Sequence, residues 1–267
     1  MLAKFFSRTA KPVAPVACAP HGRRIYAIGD IHGRLDLLNG LLEQIFRNST
    51  ALGGPPAELI FLGDLIDRGP DSAGVIERLM SVKAERPETR FLLGNHEEVF
   101  LKVLGGDRKA LRLFHRIGGA ETVQSYGISP EVYAAADFDE LAAMLEAAVP
   151  ESHRVFLAGF EDLIAEGDYV FVHAGIRPGV PLENQNASDL RWIRDEFVSP
   201  ATGQQCGIPG KVVVHGHTIT EGVVEKPHRI GLDTGAYRSG ILTAMGFEND
   251  QRWILQEERV RECDMVG

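Results

Sequence analysis

Two aspartates three residues apart, with an arginine beside the second, follow an apolar run in Leu59-Ile60-Phe61-Leu62-Gly63-Asp64-Leu65-Ile66-Asp67-Arg68-Gly69. Carboxylates can ligate divalent cations, and the arginine fork matches phosphate oxygens. Four more clusters have the same form, each placed just after an apolar stretch: Gly29-Asp30-Ile31-His32-Gly33, Gly94-Asn95-His96-Glu97, His173-Ala174-Gly175 and His215-Gly216-His217. Together they offer a mixed nitrogen and oxygen donor set, which suits Mn, Fe, Zn or Co better than Ca. Any one cluster is commonplace, since a lone histidine at a strand end is usually structural. Five in order are not. That many ligands can hold two ions if one carboxylate bridges, and glycines beside them let each loop turn sharply.

These clusters need a scaffold that ends its strands at one place. Ile25–Ile28, Leu59–Leu62 and Arg90–Leu93 read as buried strands, separated by helical patterns. Asp30 to Asp64 is 34 residues and Asp64 to Asn95 is 31, the length of a strand plus a crossover helix. The first three clusters are therefore predicted at the C-terminal edge of one largely parallel sheet, where open α/β sheets bind ligands. Asp71 or Ser72 is positioned to cap the second helix. Residues 97–160 read as a helical insertion with no chemistry of its own. Tyr169–Val172 and Lys211–Val214 are two more strands, and a segment starting at Ser188 carries Trp192-Ile193-Arg194. The rest, to Leu255, reads as short antiparallel strands. The fold class expected is α/β, a two-sheet sandwich of mixed strands flanked by helices.

Composition narrows the function. The chain has 267 residues, 44% hydrophobic and 24% charged, enough for one large domain expected over residues 24–267. A formal charge of −9 weighs against nucleic-acid polymers and anionic membranes, though a few arginines can still focus a phosphate in one cleft. Cys18, Cys206 and Cys263 form no metal-type pair or disulfide framework, which suits a reducing, cytoplasmic setting. Lys4, Arg8 and Lys11 precede a short apolar stretch broken by Pro15, so residues 1–23 are expected to be a flexible basic arm rather than a leader. No stretch has the ~20 apolar residues of a membrane span.

With its five ordered motifs, the sequence resembles the metal-dependent phosphoprotein phosphatases among the calcineurin-like metallophosphoesterases, over residues 25 to about 246. The resemblance implies that Asp30, His32 and Asp64 hold one metal, and that Asp64, Asn95, His173 and His217 hold a second, with Asp64 bridging. It implies His96 as general acid, oriented by Asp67, with Arg68 clamping phosphate and Asn95 and His96 lining the substrate. Trp192-Ile193-Arg194 matches a bacterial and phage pattern that makes Arg194 a second clamp. Two ions about 3.5–4 Å apart would suit in-line displacement at phosphorus. His217, after glycine, is taken as ligand and His215 as support. Tyr237 and Arg238 could reach the cleft or simply pack their loop. Leu93 stands where the eukaryotic branch has arginine, so no eukaryotic regulatory subunit is inferred.

The leading functional expectation is a Mn-dependent serine/threonine protein phosphatase acting on phosphoproteins or small phosphoesters, by direct attack of metal-bound hydroxide. The alternative is a hydrolase of dinucleoside polyphosphates or other nucleotides. Symmetrical diadenosine tetraphosphate hydrolases resemble this family but tend to carry Gln where this chain has His32, which favours the phosphatase. A non-catalytic scaffold is the remote third reading, disfavoured because every motif residue is present.

Overall fold

Alternation along each strand decides what the chain builds. In the computed structural model, which describes residues 16–199 and 207–259, β1 (Arg24–Ile28) is buried along its whole length. Ile25 and Ala27 face a core between two sheets, while Tyr26 and Ile28 face a helical layer. The same division recurs in β2 (Ala57–Phe61), where Ile60 points between the sheets and Leu59 and Phe61 point to the helices. A period of two on a strand buried on both faces gives two cores from one sequence run.

The chain proceeds from β1 through α1 (Leu35–Leu52), β2, α2 (Ser72–Glu85) and β3 (Arg90–Phe91) to a helical region. That region comprises α3 (Asn95–Leu104), α4 (Arg108–Ile117), α5 (Gly119–Ser125), α6 (Pro130–Ala135), α7 (Phe138–Ala148) and α8 (Glu151–Ala158). Then come β4 (Leu163–Glu166), β5 (Tyr169–Val172), α9 (Ala187–Trp192), α10 (Asp195–Val198), β6 (Val212–His215), β7 (Val224–Lys226), β8 (Arg229–Gly231), α11 (Ala236–Ser239), β9 (Ile241–Glu248) and β10 (Gln251–Glu258).

One sheet has the order β10-β9-β1-β2-β3, with β1, β2 and β3 parallel. The other has the order β4-β5-β6-β8-β7, with β5, β6 and β8 parallel. Tyr169, Phe171, Val212, Val214, Met245 and Phe247 fill the space between them. Helices α1 and α2 cover the first sheet, and Leu190 of α9, Phe197 of α10 and Ile193 between them cover the second. This is the α/β two-sheet sandwich expected.

Several local expectations change. The third cluster does not lie in a loop: Asn95 and His96 open helix α3 directly. The third strand is only two residues long, with Leu92 bridging to Glu161. β8 pairs antiparallel with β7, as expected, but its other edge pairs parallel with β6, which the reading as antiparallel strands did not include. Helix α9 is capped by Asn186, whose side chain accepts from the Asp189 N–H, rather than starting at Ser188. Asp71 caps α2, accepting from Gly74. Residues 1–15 of the expected arm, with Cys206 and Cys263, lie outside the described residues. The end of that arm is packed. Cys18 N–H donates to Asp168, Ala19 N–H to the Asn249 carbonyl, and Ala19 is buried in the inter-sheet core.

Candidate metal centre and active site

All five clusters meet at one edge. Backbone hydrogen bonds weld them together: the Ile31 and His32 amides donate to the Asp64 carbonyl, and the Gly216 amide donates to the His173 carbonyl. The sharp loops require unusual backbone. His32, Asp64, Asp67, Arg68 and His217 all have positive φ, between 47° and 70°. Among the described non-glycine residues only Asn249 joins them, so left-handed strain is concentrated where the chemistry lies. Gly63 and Gly216 let the loops close. A Cβ on Gly63 would meet the Gly94 nitrogen at 2.7 Å, and one on Gly216 would meet Asp30 Oδ1 at 2.0 Å.

Asp64 sits at the centre and is buried. Its Oδ2 lies 3.7 Å from His32 Nε2 and 3.8 Å from His96 Nε2, while Oδ1 lies 3.3 Å from His173 Nε2. Each oxygen therefore faces a different group. Ligand atoms of His32, Asp64 and His96 fall within 4.8 Å of one another, as do those of Asp64, His173 and His217. Asp30 lies beside them, its Oδ2 accepting from the His217 amide at 3.0 Å. Asn95 Oδ1 is 3.1 Å from His173 Nε2.

The donor set fits divalent cations on proton bookkeeping alone. His32 Nδ1 and His173 Nδ1 must donate to the carbonyls of Ile66 and Leu62, at 2.7 and 2.8 Å. In the neutral rings that leaves both Nε2 lone pairs facing inwards. His173 Nε2 then meets His217 Nδ1 at 3.2 Å and the acceptor oxygens of Asn95 and Asp64. Asp30 Oδ1 and His217 Nε2, both buried, have no hydrogen-bond partner among the described residues. Buried lone pairs converging in this way need positive charge between them.

His96 has a different arrangement. Its Nδ1 pairs with Asp67 Oδ2 at 2.6 Å, leaving Nε2 towards the centre. Asp67 Oδ1 accepts from the Thr122 hydroxyl at 2.6 Å, and the Asp67 amide donates to Ser72 and Thr122 oxygens. Burial pulls the His96 pKa down, but the Asp64 and Asp67 carboxylates outweigh it, so the imidazolium persists above the ordinary histidine range. Arg68 places Nη1 2.9 Å from His32 Nε2, and its amide donates to the Gly118 carbonyl. Tyr237 does reach the cleft: its ring is edge-on to His32 at 5.3 Å, and the Arg68 guanidinium lies 5.0 Å over it. Arg194 is exposed at the rim, with its charge felt at His217. His215 is turned away from the centre, donating from Nδ1 to the Gly216 carbonyl.

Sequence reading missed three supports. The insertion is not chemically idle, since Thr122 and Gly118 brace Asp67 and Arg68. Asp233 is a buried carboxylate near Asp30 whose Oδ2 lacks a partner among the described residues; burial and Asp64 push it up to about 6. Glu97, fully buried, accepts from the amides of Asp64, Leu65, Ile66 and Gly94 at 2.8–3.3 Å. Burial and the neighbouring Asp64 push its pKa up to about 7 despite these donors. The signals were absent: Thr122 is 55 residues from its partner, and Glu97 acts on backbone rather than on a motif side chain.

Two predictions follow from these contacts. Glu97→Gln replaces one acceptor by an NH₂ group facing amide donors, and should cost about 2–3 kcal/mol in urea unfolding. It should also weaken Mn binding, because the Asp64 loop loses its anchor; unchanged stability would remove Glu97 from that role. Arg194→Ala should raise KM and the phosphate inhibition constant about tenfold with metal content intact, as expected for one exposed charge-assisted contact. Unchanged phosphate inhibition would reject a clamp.

Comparison with known proteins agrees with this geometry. Bis(5'-nucleosyl)-tetraphosphatase PrpE [asymmetrical] of Bacillus subtilis is 27% identical over 240 residues, covering 82% of this chain and 89% of its own length. A symmetrical bis(5'-nucleosyl)-tetraphosphatase of Janthinobacterium is 33% identical over 153 residues, 57% of this chain. That alignment spans 44% of the Janthinobacterium protein, under half its length. Among solved structures, one described as a candidate diadenosine tetraphosphatase superposes with a TM-score of 0.62 at 22% identity, covering 91% of this chain and all of that one. It supports the fold. The family model described as calcineurin-like phosphoesterase matches residues 23–223, a stretch that runs through all five clusters, and the chain therefore belongs to that family.

Proposed function

We propose that this chain hydrolyses dinucleoside polyphosphates of the diadenosine tetraphosphate class. The observation that carries this is the alignment with a bis(5'-nucleosyl)-tetraphosphatase over 82% of this chain and 89% of the relative. The expectation of a serine/threonine protein phosphatase, drawn from the motif set and tipped by His32, gives way to it. The surroundings support a substrate larger than a phosphorylated side chain. A cleft of about 690 Å³ opens between the loop after His217 and the loop after β8, lined by Ile219, Thr220, Val224, Thr234 and Arg238. That is room for a nucleoside, within the ~300–1,000 Å³ typical of ligand sites.

In this reading Asp30, His32, Asp64, Asn95, His173 and His217 hold two divalent ions, with Asp64 shared. The ions, when bound, polarise phosphoryl oxygens and lower the pKa of a water. Arg68 and Arg194 orient the attacked phosphate through charge-assisted hydrogen bonds. Asp67 fixes the His96 ring so that Nε2 holds a proton at the leaving oxygen. Mn is the first ion to test, with Fe, Zn and Co suited to the same donors.

The test is side-by-side turnover of diadenosine tetraphosphate, a phosphothreonine peptide and phosphoserine by Mn-loaded protein. The dinucleotide should have the highest kcat/KM, and its products distinguish symmetrical from asymmetrical cleavage. Arg238→Ala should raise KM for the dinucleotide and leave that for a small aryl phosphate unchanged. Faster hydrolysis of the phosphopeptide would restore the protein phosphatase.

A further inference from the structure

On the outer face of the second sheet, away from the metal centre, lies a small cavity built around a buried cation. The same alternation that sends Val214 and Ile230 between the sheets turns His215 and Arg229 outwards. Together with Ser199, Thr218 and Thr220 they line a cavity of about 190 Å³. Arg229 is 8% exposed. Its Nη1 lies 3.2 Å from His215 Nε2 and its Nη2 donates to the Val198 carbonyl at 3.1 Å. A guanidinium carries five N–H donors, and only these two have partners among the described residues. Nε is among the unpartnered ones, and so is the nearby buried Thr218 hydroxyl.

Among the described residues, no negative charge balances this site. His215 donates from Nδ1 to the Gly216 carbonyl and presents Nε2 to the Arg229 guanidinium. No carboxylate among the described residues pairs with Arg229. A buried cation without a counter-charge is costly to fold around, and buried hydroxyls without partners add to that cost. A ligand bearing two or three acceptor oxygens would satisfy the guanidinium fork and the Thr218 hydroxyl together.

We propose that the cavity lined by Arg229, His215 and Thr218 is a second ligand site, separate from the metal centre, that binds a small oxyanion such as a carboxylate or orthophosphate. Thr218 directly follows His217, so an occupant there also braces the turn that carries a candidate metal ligand.

The experiment is a titration of Mn-free full-length protein with acetate and with orthophosphate, following the arginine Nε–Hε resonances by nitrogen-15 NMR. The Arg229 signal, assigned by its loss in Arg229→Lys, should move saturably with at least one anion. Response to phosphate alone, or to both anions, identifies which source fits the cavity. The shift should survive in Arg68→Ala, which removes the phosphate clamp proposed for the catalytic cleft. An Arg229 resonance that neither anion moves overturns the proposal. So does a shift that disappears in Arg68→Ala, because the signal would then report binding in the catalytic cleft. If Arg229→Lys fails to fold, sequential backbone-to-side-chain assignment of the wild-type protein identifies the same resonance, and the titration is read on it.

Discussion

His96→Asn should lower kcat on an alkyl phosphate about 10²–10⁴-fold, the usual worth of a general acid, while metal content stays at the wild-type value. It should lower turnover of diadenosine tetraphosphate far less. An alkoxide is a strong base and cannot leave without a proton, whereas a phosphate oxygen leaves as a stable anion. The structure prepares His96 for the first case: Asp67 grips Nδ1 at 2.6 Å, Thr122 and Ser72 hold Asp67, and nearby carboxylates raise the imidazole pKa. Measuring kcat for both substrates in the same variant separates leaving-group protonation from positioning. Equal losses on both would show that His96 serves substrate or metal binding rather than proton donation.

Asp64→Asn should remove both ions together and abolish activity. Its two oxygens face different partners, Oδ2 towards His32 and His96 and Oδ1 towards His173. The amide keeps one oxygen and loses the charge that balances the surrounding histidines. Breaking a buried charge constellation by one member costs about 3–5 kcal/mol, on the order of 10²- to several 10³-fold in affinity if it falls on metal binding. Metal analysis after dialysis reads the result directly. Retention of one ion per chain would mean that Asp64 belongs to one site and does not bridge. Chemical denaturation of the metal-free variant then distinguishes lost binding from lost folding.

The two variants also test different parts of one loop. Asp64 and Asp67 are three residues apart, yet they face opposite requirements: Asp64 is surrounded by candidate ligands and Asp67 is tied to hydroxyls and one imidazole. Glu97 holds the stretch between them by its backbone. A change at any of the three should therefore have a distinct signature in metal content, leaving-group dependence or stability.

The amino-acid sequence alone determined the parts that follow from local periodicity. Apolar runs ending in Gly-Asp or Gly-Asn, at spacings of 34 and 31 residues, are enough to place Asp30, Asp64 and Asn95 at one sheet edge. Five clusters of metal-binding residue types likewise identify a phosphoesterase-type site. Substrate choice was not legible in the motif residues, and in the proposed reading it falls to a cleft formed by loops after β6 and β8. Parallel pairing of β8 with β6 was not legible either, since neighbours in a sheet need not be neighbours in the chain.

Only the tertiary structure decided how the first reading of Asp64 and Asp67 becomes chemistry. Left-handed backbone at His32, Asp64, Asp67, Arg68 and His217 is unfavourable for each residue in isolation. At the first four it persists because Glu97, Thr122, Gly118 and the Asp64 carbonyl hold it from distant points of the chain. Those restraints act between segments up to 55 residues apart, and no local propensity encodes them. Side-chain types were written in the sequence; the directions in which they point were set by packing.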